Sequence, residues 1–139
     1  MITRKEFADR MLTKLGAPTS ANNRRALVAW MHTEGYGGKN NPLNTSLKMP
    51  GSTTFNSHGV QNYLEITDGV SAAARTLLEG EEEWNYEPII TLLQQNRKPE
   101  RTLAALLKSS WGTTDLVLRV LDDVRADFDK YASADAARE

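Results

Sequence analysis

Apolar residues recur at helical spacing along most of this chain, and one long central stretch breaks the rhythm. Thr3 followed by Glu6 predicts a capping box, opening a helix whose Phe7, Met11, Leu12 and Leu15 share one face until Gly16 stops it. Thr19 or Ser20 caps a second helix, in which Leu27, Trp30, Met31 and Glu34 follow i, i+3, i+4, i+7 spacing and Gly35 supplies the stop. From Gly35 to Tyr63 the helical period is absent. Asn40, Asn41, Pro42, Pro50 and Gly51 mark turns there, and Thr53 to Asn56 and Val60 to Tyr63 read as short strands. A stretch this long inside a small domain is either functional or disordered, and its apolar anchors Leu43, Leu47, Phe55, Val60 and Tyr63 favour order.

The helical pattern returns at Thr67 or Asp68, with Asp68 better explained as an N-cap beside Thr67 than as a second catalytic acid, and carries Val70, Ala73, Ala74 and Leu77 to Gly80. Ile89, Ile90, Leu92 and Leu93 predict a short helix beginning near Pro88, and Leu103, Leu106 and Leu107 another over Thr102 to Lys108. After a turn at Ser109 to Thr113, the residues Val117, Val120, Leu121, Val124, Phe128 and Tyr131 form one sustained stripe, predicting a single last helix. Residues 132–139 are small and charged and read as a flexible tail or linker behind one domain spanning 1–131. There is no internal repeat. The fold class is mainly α, a helical bundle around a core helix with a small irregular or β insert.

Composition narrows the chemistry. With 139 residues and 40% hydrophobic content, the chain can bury the core of one compact domain. A formal net charge of −1 and the lack of any dense Lys/Arg run argue against a nucleic-acid partner. Cysteine is absent, which removes disulfides, thiolate ligands and thiol nucleophiles together, and two histidines are too few for a convincing zinc site. No thiolate or zinc site is therefore expected, and no other metal or organic cofactor is implied. Charges at Arg4, Lys5, Glu6, Asp9 and Arg10 exclude a signal peptide or membrane span at Met1 to Leu15, and no later run is long and apolar enough to cross a bilayer.

Glu34 is the candidate for chemistry because it continues the apolar stripe rather than the wet face of its helix; position alone fits better a glutamate that swings into water at a frayed helix end, and the segment that follows reverses that balance. Contact with Trp30 and Met31, together with the negative end of the helix dipole, favours the neutral acid, the form from which a proton is delivered. No Asp or Glu follows until Glu65. The intervening segment instead offers amides, hydroxyls and cations, mixed with Tyr36, Phe55 and Tyr63, a combination that suits a sugar chain with apolar faces and a hydroxyl rim. Asn and Thr also hold loop turns together, and for Asn40 and Asn41 that use weighs equally. Gln61 and Tyr63 read as cleft residues. Trp111 reads as a wedge between helices, His32 as a surface residue, and the run Glu79, Glu81, Glu82 and Glu83 as a solvated helix end.

The helix ending in Glu34, the polar segment after it and the string Gly59-Val60-Gln61-Asn62-Tyr63 resemble the lysozyme-like superfamily, with most in common with soluble lytic transglycosylases and goose-type lysozymes. The corresponding motif in those proteins is Gly-Leu-Met-Gln. Asn41-Pro42-Leu43-Asn44-Thr45, Phe55-Asn56-Ser57 and Ser110-Trp111-Gly112-Thr113 are similar to a branch found in bacteriophage lytic and virion proteins. The resemblance runs from about Ser20 to Thr114 and implies a mainly helical α+β fold that cleaves peptidoglycan between N-acetylmuramic acid and N-acetylglucosamine. It makes Glu34 the catalytic acid and puts Gly59, Val60 and Gln61 at the cleft floor, Tyr63 at its wall, and Asn44, Thr45 and Asn56 among the substrate-binding residues. Serine commonly follows the glutamate in transglycosylases, and this chain has Gly35 there. The implied partner is the glycan strand of the bacterial cell wall, reached through a holin-like pore or from a virion, by a monomer or a module of a larger protein. A module that keeps the fold and binds the wall without cleaving it is the alternative.

Overall fold

The computed structural model describes residues 1–35 and 37–138. Tyr36, read above as one of the sugar-facing aromatics, and Glu139 at the end of the tail lie outside them. The described residues form seven helices and one two-stranded sheet. In chain order these are α1 (Arg4–Lys14), α2 (Ala21–Glu34), β1 (Thr53–Thr54), β2 (Gln61–Asn62), α3 (Ile66–Glu79), α4 (Glu87–Gln94), α5 (Pro99–Lys108), α6 (Leu116–Ala126) and α7 (Phe128–Ala132). No helix among them is long and apolar enough to cross a membrane.

The organising element is α2. Its residues Ala26, Leu27, Val28, Ala29, Trp30 and Met31 are all buried in succession, so the helix is enclosed rather than half-wet as its stripe predicts. α1, α5, α6 and α7 pack around it, while α3 lies against α1 and α4. Local chemistry fixes where the helices start. In α1 the Thr3 hydroxyl accepts from the Glu6 amide at 3.1 Å and the Glu6 carboxylate accepts from the Thr3 amide at 3.2 Å, the reciprocal cap the sequence predicts. For α2 the cap is Ser20, which accepts from the Asn23 amide at 3.2 Å. α5 begins at Pro99, three residues before the expected start, because a proline fits the first helical position without wasting a donor.

Three expectations are corrected. α3 begins at Ile66, not at Thr67 or Asp68, because the Glu65 carbonyl already accepts from the Asp68 and Gly69 amides; Asp68 sits inside the first turn, where its charge complements the helix dipole. The single last helix is two: Asp127 (φ −150°, ψ 75°) breaks it, and its carboxylate accepts from the Lys130 amide to start α7. The tail is neither frayed nor a linker in its described part. Arg4 donates its amide to the Ala134 carbonyl, Ala136 donates to Ile2, and Asn40 donates to Ala137, at 2.8–2.9 Å. Ala136 and Ala137 are buried, and Arg138 donates to the Gly37 carbonyl at 2.7 Å with its guanidinium 5.0 Å from the Phe55 ring. The described tail is a strap of bends with one isolated bridge, Asp135 to Thr3.

The strap thus joins the start of α1 to the loop beyond Glu34. Deleting residues 134–138 is expected to cost about 1–3 kcal/mol, since each hydrogen bond contributes roughly 1 kcal/mol net. Amide exchange at Asn40 should accelerate more than exchange within α5, and a differential scan with hydrogen-exchange mass spectrometry checks both.

Candidate functional site

α2 delivers Glu34 to the edge of the core, and Gly35 (φ 73°) turns the chain away in a conformation that few residues other than glycine adopt. The half-buried carboxyl is gripped from three segments. Trp30, one turn earlier, donates its indole N–H to Oε1 at 3.2 Å. Thr113, in the turn between α5 and α6, donates its hydroxyl to the same oxygen at 2.7 Å. Asn44 donates from Nδ2 to Oε2 at 3.2 Å, and Nδ2 also lies 3.2 Å from the Glu34 carbonyl, one of the acceptors orphaned at the helix end. Asn44 has φ 57°, a left-handed conformation that asparagine tolerates better than most residues. The surroundings are more polar than the sequence predicts: Trp30 contributes its N–H to the carboxyl as well as its apolar surface. Among the described residues, none of the carboxyl's hydrogen-bond partners is acidic.

Behind the donors stands an aromatic stack. The Trp30 and Trp111 rings meet edge-on at 4.7 Å, and Trp111 continues to Tyr86 at 5.5 Å. Trp111 is the wedge between helices that the sequence predicts, and burial pushes the Tyr86 hydroxyl above its ordinary range of titration.

The loop from Gly37 to Tyr63 is held by its own side chains. Asn41 donates to the carbonyls of Thr45 and Gln61, both at 2.8 Å, and accepts from the amide and hydroxyl of Thr45. Tyr63, 1% exposed, donates its hydroxyl to the Leu47 carbonyl at 2.6 Å and lies 2.9 Å from the Thr45 hydroxyl. Gln61, 2% exposed, donates to the Gly59 carbonyl and accepts from the Ser52 hydroxyl. Asn56 accepts from the amides of His58 and Val60 to close the turn that shortens both strands to two residues, with Gly59 at φ 81° and Val60 buried.

Of the substrate-binding residues predicted from the sequence, Asn44 alone reaches the carboxyl. The side chains of Gln61, Tyr63, Thr45 and Asn56 are engaged inside the loop, Val60 packs within it, and Gly59 makes its turn, so these six shape the loop that presents Asn44. Thr113 was missed as a site residue, although the Trp111-Gly112-Thr113 string drew attention; a hydroxyl just past a glycine turn (Gly112, φ 84°) was the available signal.

A groove of about 710 Å³ is lined by residues that neighbour Asn44 and Thr113 in sequence, though not by Glu34, Asn44 or Thr113 themselves. One wall, Ser46, Leu47 and Lys48, directly follows Asn44 and Thr45; the other is Thr76, Glu79, Gly80, Trp84, Tyr86 and Ser110. Trp84 is 47% exposed, and its carbonyl accepts from the Ser110 amide, which ties it to the turn carrying Trp111 and Thr113. The remaining acids near Trp84 line a separate shallow surface, and no group of three potential metal ligands occurs among the described residues. His32 sits apart, accepting at Nδ1 from Arg4 at 2.9 Å and edge-on to Tyr131; burial first, and Arg4 next, hold it below the usual histidine range.

Compared with family models, with curated proteins and with solved structures, the chain has no significant match.

Proposed function

We propose that this chain is a peptidoglycan-cleaving glycosidase of the lysozyme-like superfamily, with Glu34 as its acid and the Trp84 groove as its glycan site. The observation that carries the reading is a single carboxyl at the end of the core helix, fixed by donors from three segments, two of which lead in sequence to residues lining an aromatic-walled groove. A glycan strand offers apolar sugar faces to Trp84 and hydroxyl and acetamido groups to Ser46, Lys48 and Ser110. Glu34 protonates the glycosidic oxygen as the bond to the anomeric carbon breaks, and the 2-acetamido oxygen of the same sugar bonds to that carbon in its place. The 6-hydroxyl then displaces the acetamido oxygen, and the Glu34 carboxylate accepts the hydroxyl's proton. The net result is a 1,6-anhydro end with no water consumed and the acid regenerated.

A two-carboxylate glycosidase needs a second acid within about 5–10 Å. The sequence carries no Asp or Glu between Glu34 and Glu65, which supports the one-glutamate route; Glu79, on the groove wall, is the acid a two-carboxylate route would have to use. The same three donors would also suit a fixed structural bracket, which favours the alternative of a wall-binding module without cleavage. Purified peptidoglycan separates the two: falling turbidity supports the enzyme, and sedimentation with the wall without clearing supports the module. The acting place in either case is the bacterial cell wall, reached after lysis or pore formation or from a virion.

Trp84→Ala should weaken binding of a soluble peptidoglycan oligosaccharide by roughly 3–10-fold, the loss expected for one aromatic platform, with little change in melting temperature. Isothermal titration on a Glu34→Gln background measures this without turnover.

A further inference from the structure

The two oxygens of the Glu34 carboxyl are not equivalent. Oε1 accepts both the Trp30 indole N–H at 3.2 Å and the Thr113 hydroxyl at 2.7 Å, whereas among the described residues Oε2 has only the Asn44 amide, at 3.2 Å. A carbonyl oxygen has two lone pairs in its plane and can serve two donors; the hydroxyl oxygen of a carboxylic acid is a poorer acceptor and has lost one of those sites to its proton. The arrangement with the carbonyl at Oε1 keeps every donor supplied. The reverse arrangement weakens the indole hydrogen bond and turns the threonine from donor to acceptor. Asn44 cannot rebalance matters by rotating its amide, because Nδ2 is also within reach of the Glu34 carbonyl, and a flip would set two oxygens against each other.

We infer that the acid form of Glu34 has its proton on Oε2, and that Thr113 is the positioning residue that fixes it there by occupying Oε1. The inference rests on the proposed cleavage only for its consequence, that the glycosidic oxygen meets the acid on the Asn44 side. The loop that carries Asn44 continues into residues 46–48, which line the groove. Thr113 touches no reacting atom. It acts through the carboxyl, from a turn 79 residues further along the chain.

Thr113→Val removes the hydroxyl and preserves shape, and Thr113→Ser keeps the hydroxyl. Infrared difference spectra taken over the acid range in which the fold persists, with the Glu34 band identified by its loss in Glu34→Gln, read the carbonyl directly. Thr113→Val should move that band to higher wavenumber, because its oxygen has lost a donor, while Thr113→Ser should leave it in place. In parallel, Thr113→Val should lower kcat about 10–100-fold at nearly unchanged KM, the effect of one hydrogen bond to a charged group, and Thr113→Ser should restore most of it. A band that stays put in Thr113→Val, or no Glu34-dependent carbonyl band down to the acid limit of the fold, overturns the inference. A native protein that cleaves nothing would overturn the cleavage reading instead, and the band would still decide where the proton sits.

Discussion

Glu34→Gln is expected to slow peptidoglycan clearing by about 10²–10⁴-fold, the usual worth of a positioned proton donor, while the fold survives. The geometry makes glutamine a close mimic of the neutral acid. Its carbonyl can take the place of Oε1 and keep the hydrogen bonds from Trp30 and Thr113, and its amide then stands where Oε2 stood. That amide faces the Nδ2 group of Asn44, donor against donor, so one hydrogen bond is lost and a destabilisation of about 1 kcal/mol follows. Turbidity assays on purified cell wall and a thermal melt of the same preparation measure both numbers. Near-native clearing by Glu34→Gln would remove Glu34 from the chemistry, since an uncharged amide cannot supply the proton.

The largest expected loss of stability comes from a glycine inside a helix. Gly69 lies in the first turn of α3, and a Cβ placed there would overlap the backbone carbonyl oxygen of Asn40. Asn40 cannot retreat freely. Its amide is held by the Ala137 carbonyl, and its side chain donates to the Tyr63 carbonyl at 2.9 Å. Gly69→Ala must therefore push α3 away from the loop or distort the loop itself, at a cost of about 3 kcal/mol, comparable to severe overpacking. For a domain of this size the melting temperature should fall by roughly 10 °C. Activity should fall with it, because the loop carries Asn44 to the carboxyl. A variant that melts within a degree or two of the native protein would mean that α3 and the loop do not meet as closely as described.

Most helices were legible because their stabilising signals are local. The Thr3–Glu6 box, the stops at Gly16 and Gly35 and the stripes through Val70 to Leu77 and Val117 to Val124 lie within a turn or two of the residues they control. Glu34 was legible for the same reason, as a carboxylate that continues an apolar stripe up to a glycine. Features that depend on distant partners were not. Asp127 breaks a stripe whose apolar spacing continues unbroken through it, so periodicity alone merges α6 with α7. The tail looks loose by composition, yet Ile2, Arg4, Gly37 and Asn40 supply the backbone partners that hold it. Gln61 and Tyr63 have the chemistry of sugar-binding residues, but Ser52, Gly59, Thr45 and Leu47 use that chemistry inside the loop. Thr113 could be placed at the carboxyl only by knowing how the turn before α6 folds back onto α2.

Cleavage of a glycan by one glutamate without a second carboxylate leaves its mark on the products. Purified peptidoglycan digested by the native protein and by Glu34→Gln should be compared by mass spectrometry of the soluble sugars. The native protein is expected to release muropeptides ending in 1,6-anhydro-N-acetylmuramic acid, lighter than the hydrolysed form by one water, and Glu34→Gln only background. Reducing-end N-acetylmuramic acid as the dominant native product, or the same yield from both proteins, would contradict one-glutamate cleavage.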